Sequence, residues 1–171
     1  MARRNIRLPG PVTIALLVVC VLLLLRLPTD ESSPIESAQT ESATVQRVID
    51  GDTVELTDGT HVRFLGIDSP ELAHRDTPAE PGAIAARDWL RNQIEGEAVT
   101  LRYGPERHDR YGRTLAWIYD SDGTLVNLNL LFEGHARLVK RFGLPEDLRT
   151  ELHQAVARAR VAQRGIWKKR R

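Results

Sequence analysis

The stretch His61-Val62-Arg63-Phe64-Leu65-Gly66-Ile67-Asp68-Ser69-Pro70-Glu71 decides how the chain is read. Its first seven residues are β-rich, with Val62, Phe64, Leu65 and Ile67 apolar and Arg63 the one charge among them. Pro70 cannot donate to a ladder, so it closes the strand and leaves Asp68, Ser69 and Glu71 at its end. An arginine on a strand and two carboxylates at its tip form a charged corner. Phosphoryl chemistry on a hard divalent cation uses such groups: oxygen ligands, a carboxylate to take a proton from water, and a guanidinium to grip phosphate. A surface strand ending in an acidic turn carries the same residues, so the rest of the chain must decide.

Outward from that corner, the preceding residues supply two more strands. Val45, Val48 and Ile49 run into Asp50-Gly51, and Thr53-Val54-Glu55-Leu56 follows. Asp-Gly between two β-like runs predicts a tight hairpin whose central residues take positive φ. Asp58-Gly59 marks the next turn, so three strands form a meander. On the far side, Ala73 to Pro81 is polar and turn-rich, the composition of a loop at the rim of a site. A helix is predicted from Gly82 to Gln93, with Ala86, Leu90 and Ile94 on one face, Trp89 beside them and Gly96 beyond the end. Ala98 to Tyr103 reads as a fourth strand, Gly104 to Gly112 as a loop, and Thr114 to Tyr119 as a fifth strand. A short helix is expected near Val126 to Glu133. A longer one starts at Pro145, its apolar stripe made by Leu148, Leu152, Ala155, Val156 and Ala159. This order predicts a mainly β, α+β domain: an OB-fold, a five-stranded Greek-key barrel with three helices, which closes without a free edge. A more open α+β sandwich is the structural alternative.

The chain of 171 residues exceeds what this domain needs. Residues 1–11 form a basic flank with Arg3, Arg4 and Arg7. Residues 12–27 are an apolar run ending in Arg26 and Leu27, with Asp30 and Glu31 beyond. This order predicts a transmembrane helix, an uncleaved signal anchor oriented amino end inward, with a cleaved secretory h-region as the alternative. The domain would then lie on the extracytoplasmic side, anchored or secreted. Residues 28–43 are rich in Ser, Thr, Glu, Pro and Gln and read as a flexible tether to a domain spanning 44–171.

Composition narrows the chemistry. The formal net charge of +1 announces no bulk affinity for polyanions, although Arg158, Arg160, Arg164, Lys168, Lys169, Arg170 and Arg171 gather at a C-terminus with no acid after Glu151. Cys20 is the only cysteine, so neither a disulfide nor a thiolate metal site forms within one chain. The five histidines show no ligand spacing, which disfavours a zinc or histidine-base enzyme. Carboxylates from separate strand ends, Asp52 and Asp68, would give calcium the all-oxygen shell it accepts. Glu71, three residues past Asp68, is placed either to hold an attacking water as general base or to cap the loop. Arg113 opens the fifth strand as Arg63 sits on the third, so both can serve one phosphate. Arg110 and Tyr111, in the loop before it, suit a neighbouring phosphate and a stacked base.

Four motifs occur in order: Asp50-Gly51-Asp52-Thr53; Arg63 with Asp68-Ser69-Pro70-Glu71; Asp109-Arg110-Tyr111-Gly112-Arg113 running into Leu-Ala-Trp-Ile-Tyr; and Arg164-Gly165-Ile166-Trp167. Together they resemble the staphylococcal nuclease (thermonuclease) family over Thr44 to Trp167. The resemblance implies an OB-fold, calcium-dependent phosphodiesterase acting on DNA and RNA, cutting the 5′ P–O bond to leave 3′-phosphate ends. It implies that Asp52, Asp68 and the Ser69 carbonyl ligate Ca²⁺, that Glu71 positions or deprotonates water, and that Arg63 and Arg113 bind the phosphoryl group. It also implies two tyrosines flanking the base where this chain has Lys140 and Phe142, which changes base contacts. No obligate protein partner is expected, and a non-catalytic OB module that only binds nucleic acid or a partner is the competing class.

Overall fold

The computed structural model describes residues 39–140 and 143–169. The basic flank, the apolar run expected to span a membrane, most of the tether, and Phe142 lie outside these residues. Among the described residues no helix is long and apolar enough to cross a membrane.

Five strands close the expected barrel: β1 (Thr40–Val48), β2 (Thr53–Leu56), β3 (His61–Phe64), β5 (Ala98–His108) and β6 (Thr114–Tyr119), in the order β1-β2-β3-β6-β5. All neighbours are antiparallel except β3 and β6, which run parallel with Arg63 opposite Leu115. Val45, Val54, Val62, Phe64, Leu101, Leu115 and Ile118 are fully or almost fully buried, so closure hides apolar residues from every strand. Each such side chain contributes about 1.5–3 kcal/mol relative to exposure. Three helices pack on the barrel: α1 (Ala83–Ile94) against β1, α2 (Val126–Phe132) against β6, and α3 (Glu146–Val161) against α2. Their buried faces are Ala86, Leu90 and Ile94 in α1 and Leu148, Leu152, Ala155, Val156 and Ala159 in α3, as periodicity predicts.

The structure departs from the sequence reading in four places. β1 begins at Thr40, inside the stretch expected to be tether, because its polar residues pair their backbone with β5 from Thr40↔Arg102 to Thr44↔Ala98. β5 continues through Gly104 and Pro105 to His108, where a loop was expected. The strand expected from His61 to Ile67 is broken after Phe64. Gly66 turns the chain at φ +72, and a Cβ there would stand 2.2 Å from the buried Trp117 ring. The remainder, β4 (Ile67–Asp68), leaves the barrel and pairs with β7 (Arg137–Leu138) in a two-stranded ribbon. Finally, Asp50-Gly51 is not a two-residue positive-φ turn. The loop is longer, closed by the Ile49 N–H donating to the Thr53 carbonyl at 2.9 Å, and Gly51 is absent from the positive-φ glycines. Glycine is required there by proximity: a Cβ would sit 2.7 Å from both the Ala86 and Ser69 Cβ atoms. Gly51 therefore seats the β1–β2 loop against α1 and against the start of the acidic loop.

Candidate active site

The β1–β2 loop, the end of β3 and the β4 ribbon meet at one corner of the barrel. Asp52 follows Gly51 and is buried, 4% exposed. Its Oδ2 accepts from the Ser69 N–H at 2.6 Å and faces Arg63 Nη1 at 3.1 Å. Its Oδ1 accepts from Thr53 Oγ1 at 3.2 Å. Arg63 projects from β3 and spans the corner: Nη2 donates to Asp68 Oδ1 at 2.9 Å, and Nη1 to the Ile67 and Phe64 carbonyls at 2.9 and 3.1 Å. One guanidinium thus bridges two carboxylates from segments 16 residues apart while satisfying the carbonyls exposed by the Gly66 break. Asp52 and Asp68, matched as candidate ligands, are brought together here with Arg63, and the buried Ser69 lies beside them.

Acids outnumber the guanidinium at this corner. Burial pushes the Asp52 carboxyl up to about 7, and Asp50 repels it further, against the pull of Arg63 and the Ser69 amide. Asp50 Oδ1 in turn accepts from the Asp52 N–H at 2.9 Å. Glu71 is also raised, by burial first and then by repulsion from Asp50 and Asp68, with Arg63 lowering it. Glu71 therefore shares one electrostatic field with Asp50, Asp68 and Arg63. Its backbone is tied to the far end of the loop: the Glu80 N–H donates to the Glu71 carbonyl at 2.8 Å, and Glu80 Oε2 accepts from the Glu71 N–H at 3.4 Å.

Asp50 and Glu80 thus belong to the site, although only the first stands in a quoted motif and neither carried a role in the sequence reading. Asp50 was legible in principle, as the residue two before Asp52 in an Asx-type turn. Glu80 was not, because nothing local signals that the loop folds back on Glu71.

Arg113 stands one residue before β6, whose parallel ladder matches Val62 to Thr114 and Arg63 to Leu115. By strand alternation it shares the Leu115 side, on which Arg63 also projects, two residues along. Asp109 holds it, accepting from Arg113 Nε at 2.8 Å through Oδ2 and from the Arg113 N–H at 3.0 Å through Oδ1. Among the described residues its Nη groups make no hydrogen bond, and no contact links it directly to Arg63. Arg110 and Tyr111 lie exposed in the same loop; the Arg110 Cζ is 4.7 Å from the Tyr111 ring centre, and Arg110 Nη2 donates to the Tyr111 hydroxyl at 2.5 Å. Lys140 is exposed at the edge of the described residues.

No three His, Cys, Asp or Glu side chains among the described residues enclose a metal ion by themselves. The donor set nonetheless fits a hard cation with an open shell. Asp52 and Asp68 offer oxygen ligands, Ser69 a main-chain carbonyl beside them, and burial raises both Asp52 and Glu71, so a cation bound there would relieve desolvated carboxylates.

Comparison with known proteins agrees with this geometry. The family described as staphylococcal nuclease homologue matches residues 61–169, which hold Arg63, Asp68, Glu71 and Arg113. A thermonuclease of Staphylococcus intermedius is 34% identical over 164 residues, 91% of this chain and 96% of the relative. A thermonuclease of Staphylococcus hyicus is 33% identical over 89% of this chain and 94% of its own length. Endonuclease YhcR of Bacillus subtilis is 33% identical over 84% of this chain, which spans only 13% of that larger protein. A closed barrel in OB order, an acidic corner bridged by Arg63, and likeness extending over nearly the whole of two thermonucleases lead to one conclusion: the chain belongs to the staphylococcal nuclease family.

Proposed function

We propose that this chain is a calcium-dependent nuclease that hydrolyses phosphodiester bonds of DNA and RNA. The observation that carries the reading is the Arg63 guanidinium bridging Asp52 and Asp68 at a corner that also holds Asp50 and Glu71. Names borne by the relatives support the class of reaction, and the family resemblance supports 5′ P–O cleavage with 3′-phosphate ends.

Asp52, Asp68 and the Ser69 carbonyl would hold Ca²⁺, which when bound neutralises charge on the phosphoryl oxygens. Glu71 accepts the proton of the attacking water; its raised affinity for protons makes it a stronger base than a free glutamate. As the new P–O bond forms and the bond to the 5′ oxygen breaks, negative charge grows on the non-bridging oxygens. Arg63 and Arg113 donate there, and preorganised donors of this kind are worth about 10²–10³ in rate. Tyr111 offers an exposed ring to a base, and Arg110, Lys140 and Phe142 complete the substrate contacts. The apolar run at residues 12–27, behind its basic flank, supports a membrane tether with the domain outside the cytoplasm, or secretion after cleavage.

The test is plasmid and RNA cleavage by the full chain with calcium, with chelator, and in Glu71→Gln. Calcium-dependent cleavage that falls by at least about 10² in the variant is expected, within the usual span for general bases. Cleavage that survives both chelator and Glu71→Gln overturns the assignment.

A further inference from the structure

Next to the acidic corner lies a cavity of about 420 Å³, lined by Glu80, Pro81, Gly82, Arg137, Gly165, Ile166 and Lys168. We infer that Arg137 and Lys168 form an accessory phosphate-binding groove that holds the polynucleotide strand beyond the bond being cut. The inference rests on the nuclease reading and extends it from the scissile phosphate to its neighbours.

Position argues first. Arg137 pairs with Asp68 across the β4–β7 ribbon. Directly opposed residues in an antiparallel pair project to one face with Cβ atoms about 5 Å apart. Arg137 therefore emerges beside a candidate cation ligand, yet Asp68 is committed to Arg63. Among the described residues Arg137 and Lys168 make no ion pair, and both are exposed.

Lys168 follows a 3₁₀ segment (Gly165–Trp167), the last turn among the described residues, which docks on the loop after α2. The Ile166 N–H donates to the Gly134 carbonyl at 2.9 Å, and Arg164 Nη1 donates to the Phe132 carbonyl at 3.1 Å. The opposite wall is Glu80, which also grips the Glu71 backbone. The groove thus shares a wall with the proposed base. Two cations against one acid, with Pro81 and Ile166 as apolar surface, suit an anionic strand carrying sugars and bases. The volume lies within the range of small-ligand pockets and accommodates about one nucleotide.

The test uses the full chain without divalent cation, and single-stranded DNA with nuclease-resistant phosphorothioate linkages, in lengths of roughly two nucleotides (a single linkage, for the corner alone) and roughly twelve, followed by fluorescence anisotropy across salt. Arg137→Ala with Lys168→Ala is expected to weaken the longer strand about tenfold. The slope of log affinity against log salt should fall by about 1.4, or 0.7 per lost contact. Affinity for the shorter strand should stay unchanged. Charge-retaining Arg137→Lys with Lys168→Arg should restore the slope. Unchanged binding of the longer strand, or equal loss on both lengths, overturns the groove. Should Arg137→Ala disturb the ribbon, Lys168→Ala alone decides, with an expected slope change of about 0.7. Failure of the nuclease reading would appear separately, as absent plasmid cleavage by the unmodified chain with calcium.

Discussion

Two arginine–aspartate contacts in this molecule are built from the same groups and do opposite things. At the barrel corner Arg63 reaches Asp52 and Asp68 with its own side chain 15% exposed, and the carboxyls of Asp52 and Glu71 there are raised. Across the barrel Arg102 of β5 meets Asp147 of α3 through Nη1–Oδ2 at 2.6 Å and Nη2–Oδ1 at 3.2 Å, and the Arg102 hydrogen bond lowers the Asp147 carboxyl. One guanidinium shared between a buried and a half-exposed acid leaves the buried carboxyl desolvated and raised; one guanidinium for one solvated acid leaves that acid lowered. A desolvated carboxyl is what a bound cation can relieve, and a balanced pair joins a helix to a strand.

The largest expected break is at Arg113. Arg113→Ala should lower kcat by about 10²–10³, the scale for one preorganised donor. Thermal unfolding should change little, since the Asp109 pair is local and partly exposed. Equal losses in activity and stability would place Arg113 with Asp147's partner, as a structural arginine.

Asp52→Asn should separate activity from stability. The Asp52 carboxyl titrates near 3.9 when unfolded and near 7 when folded. Between those values the folded form holds a proton the unfolded form has lost, so stability falls as pH rises through that window. Removing the titration should stabilise the domain at pH 8 by at most about 4 kcal/mol, with the gain closing towards pH 4. Cleavage should be lost. Calcium should raise the unfolding temperature of the unmodified chain and not of the variant, because binding to the folded state alone stabilises it. Urea unfolding across pH, thermal unfolding with and without calcium, and a plasmid cleavage assay check the three. A variant less stable at pH 8 would mean that Arg63 outweighs burial.

A third expectation concerns a residue that no sequence pattern exposed. Asn127 is fully buried in α2, where its Oδ1 accepts from the Ile118 N–H at 2.9 Å and its Nδ2 donates to the Leu65 carbonyl at 2.8 Å. It replaces the ladder bonds that β3 loses at the Gly66 break. Asn127→Ala should cost about 2–3 kcal/mol by leaving two buried backbone groups unpaired. Denaturant midpoints measure this.

Asn127 also marks the limit of what the sequence discloses. Periodicity located α1 and α3 to within a residue or so, and turn chemistry separated β2 from β3, because those signals are local. The β4–β7 ribbon was missed because its two-residue strands are stabilised by each other, 69 residues apart, and have no pattern of their own. Arg63, Asp52 and Asp68 were legible as a motif, and the barrel explains why: closure brings the β1–β2 loop to the end of β3. Glu80 escaped because loop closure, which local residue types do not encode, carries it to Glu71.

The smallest expected effect tests the other half of the comparison. Asp147 is 57% exposed, so the short contact to Arg102 is screened by water, and its coupling should be only about 0.2–1 kcal/mol. Arg102→Ala, Asp147→Ala and the double variant form a cycle that isolates this coupling. Because the folded Asp147 carboxyl is lowered, the contribution is present above about pH 3.9 and disappears as pH falls through the folded value. Salt near 1 M shortens the screening length to about 3 Å and should shrink the coupling further. Nuclease kcat/KM should be unmoved in all three variants, since Arg102 and Asp147 join β5 to α3 and contact none of the corner residues. A coupling that survives salt, or a change in cleavage, would mean the balanced pair shares the corner's charge after all, and the division between holding charge and holding structure would fail.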